Sequence, residues 1–257
     1  MVVASLTLGA VVGVLLSAAF LYFEVGRYAT PQVPVTLFDE RKELFAYTAG
    51  LFVGVPLSLA AVLFLDAMAN AALPGAILFL AMLVAGTEVA QWAFLRTRFW
   101  GTGESRPFYA LGYRAAIGGI IALALVAQYL GGPTFAPIGL LLVVLQSVAV
   151  LGLEVAGALL SMPARSHPSP GGGGPVSGAI VQVVGFFLIG VGALGGQEAG
   201  IAGALLAMLG AGFIYRRLRP ILSTIPAPTA PPKLAPASSP LPSYGRTRSD
   251  APEPPKG

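Results

Sequence analysis

Cysteine is absent from the 257-residue chain, and histidine occurs once, at His167. Without cysteine there is no disulfide, no thiol nucleophile and no thiolate ligand for a metal ion. A single histidine also excludes the HExxH motif and every metal site that needs several histidine ligands. We therefore expect a protein without a metal centre, without a cofactor and without enzymatic activity.

Charged residues are also scarce. Asp, Glu, Lys and Arg make up 10% of the chain, against about 25% in a typical soluble domain. Hydrophobic residues make up 56%, and the mean hydropathy is +0.80. They are concentrated in runs of about twenty residues, the length that an α-helix needs to cross a hydrocarbon layer of about 30 Å. This composition predicts an all-α integral membrane protein embedded in the lipid bilayer.

Seven apolar runs are candidate transmembrane helices, and they cover residues 2–23, 44–65, 73–95, 110–130, 137–160, 177–195 and 199–215. A cleaved signal peptide is the alternative interpretation of the first run, but no basic region precedes that run in the sequence. We therefore expect residues 1–219 to form a bundle of about seven transmembrane helices.

Residues 220–257 differ in composition from the rest of the chain. They hold half of the 22 prolines, with much of the remainder alanine and serine. Such a segment buries too little apolar surface to offset the entropy of folding. The sequence predicts a disordered C-terminal tail.

The basic residues indicate the orientation in the membrane. If the seven helices alternate in direction, all 15 Lys and Arg residues fall on one side, in the first, third and fifth connections or in the tail. Arg114 is counted here with the third connection. The positive-inside rule then predicts a multi-pass protein of the cell membrane with its N-terminus outside and its C-terminus in the cytoplasm. Because topology explains the basic charge, we expect no nucleic-acid partner.

Four polar residues inside the predicted helices are candidates for binding or relaying an ion: Glu88, Gln91, Gln146 and Glu154. Glu88 and Glu154 lie roughly 21 and 25 Å from the outer ends of their helices at 1.5 Å per residue. A carboxylate at that depth must become protonated or find partners, because an acid at the centre of the bilayer costs about 2.5–3.5 kcal/mol. Gln91 shares a helix face with Glu88, and Gln146 shares one with Glu154.

Two functional hypotheses follow from these buried acids. In the first, the bundle has a polar interior through which protons or small cations pass or are coupled, and the acids bind the ion. In the second, the protein is a non-catalytic membrane scaffold or a subunit of a membrane complex, and the acids hold helices together through hydrogen bonds.

The predicted third connection contains aromatic and basic residues typical of a membrane surface. Arg96, Arg98, Trp100 and Arg106 are the residues expected to contact lipid headgroups or a partner there. An aromatic belt with positive charge accounts for this composition without a further function.

A short motif recurs near the same end of the odd-numbered helices. It reads FEVGRY at Glu24, TEVAQW at Glu88 and LEVAGA at Glu154, at offsets of 64 and 66 residues. This spacing suggests three parallel helix pairs followed by one further helix, although chance similarity between helices rich in alanine, glycine and leucine is the alternative.

Two GxxxG motifs, formed by Gly9 with Gly13 and by Gly50 with Gly54, indicate close approach of helices. Such motifs serve packing within one chain or between copies of a chain. The sequence therefore leaves open both a homo-oligomer and partners in a membrane complex.

Overall fold

The computed structural model describes residues 2–28, 39–100, 106–131, 137–161 and 174–223. These residues form seven α-helices and a 3₁₀ turn at Arg98–Trp100. The helices are α1 (Val2–Tyr28), α2 (Glu40–Ala69), α3 (Leu73–Arg96), α4 (Arg106–Gly131), α5 (Pro137–Ser161), α6 (Pro175–Leu194) and α7 (Gly196–Ser223).

Length and composition make six of these helices, α2 to α7, capable of crossing a membrane. The searched part of α1 contributes a shorter apolar stretch, Gly9–Glu24. The predicted all-α bundle of seven helices suited to a membrane is therefore confirmed.

Several helix ends differ from the hydropathy boundaries, because polar residues also extend helices beyond the apolar core. α2 begins at Glu40, and Asp39 caps it by accepting a hydrogen bond from the backbone N–H of Arg41 at 3.0 Å. α4 begins at Arg106, four residues before the predicted start of this span at residue 110. α7 continues to Ser223, so the first four residues of the predicted tail are helical, and residues 224–257 lie outside the described part of the chain.

α4 is the central helix of the bundle. Every residue from 108 to 119 is buried, as expected for a helix covered on all sides. Both GxxxG motifs pack against it: a Cβ on Gly13 of α1 would clash with the carbonyl oxygen of Gly119, and a Cβ on Gly50 of α2 would clash with that of Tyr113. The close helix contacts predicted from these motifs are present within one chain.

The Glu-Val motif suggested three similar helix pairs, α1 with α2, α3 with α4, and α5 with α6. In the structure these pairs pack differently. α5 and α6 contact each other extensively, whereas α1 and α2 each pack mainly against α4. α1 and α2 meet through side chains, including Ser17 and Tyr47, whose hydroxyl oxygens are 2.8 Å apart. The three pairs are thus unequal in packing, and α4 takes a position that α2 and α6 do not share.

Candidate functional site

Arg114 lies at the centre of a group of buried polar side chains contributed by α3, α4 and α5. Its Nε donates a hydrogen bond to Oε1 of Gln91 at 2.5 Å, and its Nη1 donates to Oε2 of Glu154 at 2.8 Å. Its Nη2 donates to Oε1 of Glu88. The second oxygen of Glu88 accepts a hydrogen bond from Oγ of Ser161 at 2.8 Å. We refer to these five residues as the Arg114 cluster.

Helical spacing aligns the members of this cluster. Glu88 and Gln91 are three residues apart on α3 and so lie on the same face. Glu154 and Ser161 are seven residues apart, two turns along one face of α5. Arg114 lies eight residues, about 12 Å, from the start of α4, which brings its guanidinium between the two other helices.

Glycines on α5 and α6 leave room for the guanidinium and its partners. A Cβ on Gly157 would lie 3.3 Å from Nη2 of Arg114 and 3.4 Å from Cγ of Gln182. A Cβ on Gly178 would lie 3.1 Å from Oε1 of Glu88. Both glycines are tightly surrounded, so a larger residue at either position would displace the charged groups.

The charges of the cluster do not balance when both acids are ionised. Arginine remains protonated in proteins, so Arg114 supplies one positive charge against the two carboxylates of Glu88 and Glu154. The net charge of −1 would lie in a site where Arg114 and Glu154 have no solvent exposure. Because an uncompensated buried charge is costly, binding one proton is the direct way to bring the cluster to neutrality.

The carboxyl group of Glu154 and the amide of Gln182, where α5 meets α6, can each form a further hydrogen bond. Within the described residues, Oε1 of Glu154 and the amide of Gln182 on α6 make no hydrogen bond of good geometry, but the two side chains lie close enough to interact with each other. Both side chains are fully buried. Buried polar atoms are usually paired, so these atoms mark a place where a proton or a further hydrogen bond can be accommodated.

The cluster is most accessible at Glu88. The side chain of Glu88 is 10% exposed, whereas those of Arg114 and Glu154 are fully enclosed. Ser161, which bonds to Glu88, is the last residue of α5. The small exposed area of the cluster therefore lies at Glu88, whose partner Ser161 is near the end of the bundle where α3 and α5 end and α4 begins.

The structure brings together three of the four predicted ion-binding residues, Glu88, Gln91 and Glu154. Gln146 is buried on α5, eight residues or about 12 Å along the helix from Glu154. Among the described residues, no hydrogen bond joins it to the Arg114 cluster. Gln146 thus lies on the same helix as the site and outside its contacts.

Two members of the cluster, Ser161 and Arg114, were not predicted from the sequence, and the charged one is Arg114. The charge pattern assigned it to the surface near the third connection, but the earlier start of α4 puts it two turns inside the helix. Pro107 at the second helical position was the available signal, because proline favours the first turn of a helix. The two intramembrane acids, which need a cation, were a second signal.

The residues expected at the membrane surface have different environments. The guanidinium of Arg96, an exposed residue, lies over the ring of Trp92 at 4.7 Å. Arg106 is half-buried at the start of α4, and the side chain of Arg98 lies outside the described atoms. Trp100 is only 2% exposed and packs against Phe94, with ring centroids 4.2 Å apart. Trp100 is therefore covered by protein, in contrast to the lipid contact expected of it.

Two further acids are buried near the same end of the bundle. Oε2 of Glu24 lies 3.9 Å from Nε of Arg219 on α7. Glu43 on α2 is 3% exposed and packs against Gly112 of α4, and its Oε2 has no hydrogen-bond partner among the described residues. These acids lie outside the Arg114 cluster.

Comparisons with known proteins supply no family for this chain. A scan against protein-family models, a search of curated proteins and a search of solved structures found no match. Within the described residues, no group of three or more His, Cys, Asp or Glu side chains is arranged to hold a metal ion. The function must therefore be inferred from the Arg114 cluster itself.

Proposed function

We propose that this protein passes or couples protons across a membrane, and that the Arg114 cluster binds and releases one proton in each cycle. The observation that carries the proposal is the presence of two buried carboxylates, Glu88 and Glu154, on one guanidinium. Such a group alternates between a net charge of −1 and neutrality when it exchanges a proton. The proposal assigns no catalytic reaction and no cofactor to the chain.

Protons are favoured over small metal cations because Arg114 already occupies the position between the two carboxylates. A cation bound there would meet the fixed charge of the guanidinium at short range, and like charges at a few ångströms repel strongly in a medium of low dielectric constant. A proton instead attaches to one carboxylate oxygen and leaves the arginine contacts of the other in place.

The proposed orientation has the N-terminus outside and the C-terminus in the cytoplasm of the cell membrane. It depends on the basic residues at one end of the bundle, including Arg41, Lys42 and Arg96. Arg114 does not contribute to this asymmetry, because it is buried in α4, but the other basic residues retain it. In this orientation Glu88 receives its proton from the cytoplasmic side.

A second candidate function is a membrane scaffold or complex subunit in which the cluster is a static lock. The observation that favours it is that one guanidinium connects three helices through Glu88, Gln91 and Glu154. Such a lock fixes helix positions without exchanging a proton. Partner proteins or a second copy of the chain would then carry the biological role.

Proton flux into liposomes distinguishes the two functions. Purified protein is reconstituted with a pH-sensitive dye inside the vesicles, and a potassium diffusion potential drives proton influx. We expect proton flux in the wild type and its loss in Glu154→Gln and Glu88→Gln, because glutamine keeps the shape of glutamate and cannot ionise. Potassium and sodium fluxes are measured on the same vesicles.

Glu198→Gln is the matched control, since Glu198 is exposed in the first turn of α7. Its flux should equal that of the wild type. A folded wild-type protein without proton flux, or with flux unchanged in both cluster variants, contradicts the proposal and favours the static lock.

A further inference from the structure

The two acids of the Arg114 cluster have unequal surroundings. Both oxygens of Glu88 are engaged, one by Arg114 and the other by the hydroxyl of Ser161. Hydrogen bonds donated to a carboxylate stabilise its ionised form. Glu88 is therefore equipped to remain charged.

Glu154 has a well-placed hydrogen-bond donor for only one of its two carboxylate oxygens. Its Oε2 accepts from Arg114 at 2.8 Å, and its Oε1 has no donor of good geometry among the described residues. A carboxyl group that carries a proton on Oε1 needs an acceptor for it. The amide of Gln182 on the neighbouring helix α6 is fully buried and lies within hydrogen-bonding range of Glu154. Its oxygen can accept from protonated Glu154, and its nitrogen can donate to the ionised form.

We propose that Glu154 is the acid that carries the exchangeable proton, and that protonated Glu154 donates a hydrogen bond from Oε1 to the amide oxygen of Gln182. Glu88 is the ionised counter-ion of Arg114 while Glu154 holds the proton. This assignment rests on the proposed function, and it adds which acid holds the proton and which residue positions it. Gln182 acts through Glu154 and is a positioning residue.

The other groups around Glu154 agree with this division of roles. The titratable side chains that face it are Arg114 and Tyr113 on α4 and Glu88 on α3. α6 carries no titratable side chain, and α7 carries none over residues 199–214. With Arg114 shared between two acids, only one full negative charge is compensated, and the other acid is neutral.

The two acids are joined through the guanidinium of Arg114. Glu88 is the cluster acid with some exposure, and the Arg114 guanidinium contacts both carboxylates. A proton bound to Glu88 leaves its carboxyl oxygen and bonds to a carboxylate oxygen of Glu154, while Arg114 stays protonated throughout. Protonation of Glu154 then leaves Glu88 as the paired anion, with charge conserved at each step.

Infrared spectroscopy of the protein in lipid nanodiscs tests the assignment. A protonated carboxyl has a C=O stretching band separate from that of carboxylates, and its frequency rises when a hydrogen bond is lost. All samples carry Glu43→Gln, because Glu43 is another buried acid with an oxygen that lacks a partner among the described residues. We expect a protonated-carboxyl band at neutral pH that is lost in Glu154→Gln.

Two further variants identify the acid that gives rise to the band. Gln182→Met removes the proposed acceptor and should shift the band to higher frequency, whereas Ser161→Ala removes a bond to Glu88 and should leave it in place. If Gln182→Met does not fold, Gln182→Asn, which withdraws the amide by one methylene, should produce a shift in the same direction.

A band that is absent, that persists in Glu154→Gln, or that shifts more in Ser161→Ala than in the Gln182 variants overturns the assignment. Proton flux measured on the same preparations separates this result from the proposed function. If proton flux is present and the band shifts in Ser161→Ala, the protein couples protons and Glu88 is the proton carrier. If proton flux is absent and the band shifts in the Gln182 variants, Glu154 carries the proton but the protein does not transport protons.

Discussion

At the scale of single residues, Arg114 determines whether the buried acids are tolerated. A fully buried guanidinium with three acceptors satisfies groups that would otherwise be costly in the interior. Removing one member of such a group leaves its partners charged and unpaired. Replacing the whole group by neutral side chains removes the charges together and is much less costly.

We predict that Arg114→Met destabilises the folded protein by about 3–5 kcal/mol, the usual cost of breaking a buried ion pair. The triple variant Glu88→Gln, Arg114→Met, Glu154→Gln should recover most of this loss. Thermal unfolding in detergent, followed by loss of the monodisperse peak in size-exclusion chromatography, provides the comparison. A single variant as stable as the wild type would show that the cluster does not contribute to folding in this way.

The sequence alone identified Glu88, Gln91 and Glu154 because acids and amides are conspicuous in apolar runs. It did not identify their partner, since hydropathy cannot distinguish a surface arginine near a helix end from one two turns inside. It also gave no reason to choose between Glu88 and Glu154. That distinction depends on Ser161 and Gln182, which come from other parts of the chain and meet the acids only in the folded bundle.

At the scale of helices, α4 is held between partners that approach it through glycine. A Cβ on Gly50 would meet the Cβ of Ala116 at 2.8 Å, well inside van der Waals contact. A Cβ on Gly210 of α7 would have no described atom within 4 Å, and this glycine is exposed. Glycine therefore serves close packing at Gly50 and not at Gly210. The difference depends on whether a neighbouring helix lies against the glycine.

We predict that Gly50→Ala destabilises the bundle by about 1–3 kcal/mol, the typical cost of overpacking. Gly210→Ala, its matched control, should be neutral or stabilising by up to about 1 kcal/mol, because alanine favours a helix over glycine. Thermal stability of the two variants in the same detergent provides the measurement. Equal effects at the two positions would argue against the close contact between α2 and α4.

The two tryptophans of the chain provide a second test of the packing. Trp92 is 58% exposed on α3, and Trp100 is 2% exposed. In liposomes with brominated lipids, Trp100→Phe, which retains Trp92, should show strong fluorescence quenching. Trp92→Phe, which retains Trp100, should show little, and the reverse order would contradict the packing of the 3₁₀ turn against α3.

At the scale of the whole molecule, the sequence predicted a bundle of seven helices, which the described residues form, and six of these helices are long and apolar enough to cross a membrane. It did not predict the arrangement: the recurring Glu-Val motif suggested three similar pairs, whereas α4 lies at the centre and α1 and α2 flank it. Helix order around a centre depends on which faces carry glycine and polar groups, and hydropathy averages over these faces.

The proposed orientation can be tested by labelling single introduced cysteines, because the chain has no native cysteine. Asn70→Cys lies between α2 and α3, and Thr97→Cys lies just after α3; both positions are exposed. A membrane-impermeant maleimide should label the first variant in intact cells and the second only after permeabilisation. The opposite pattern would place the N-terminus in the cytoplasm.

Difference titration measures whether the Arg114 cluster exchanges one proton. Purified wild type, Glu154→Gln and Glu198→Gln are titrated under identical conditions, and the protons bound per molecule are counted from alkaline to neutral pH. We expect the wild type to take up more protons than Glu154→Gln over this range, by up to one per molecule. Glu198→Gln should match the wild type there, because Glu198 is exposed and lies outside the cluster. Equal uptake by the folded wild type and Glu154→Gln would contradict proton exchange by the cluster.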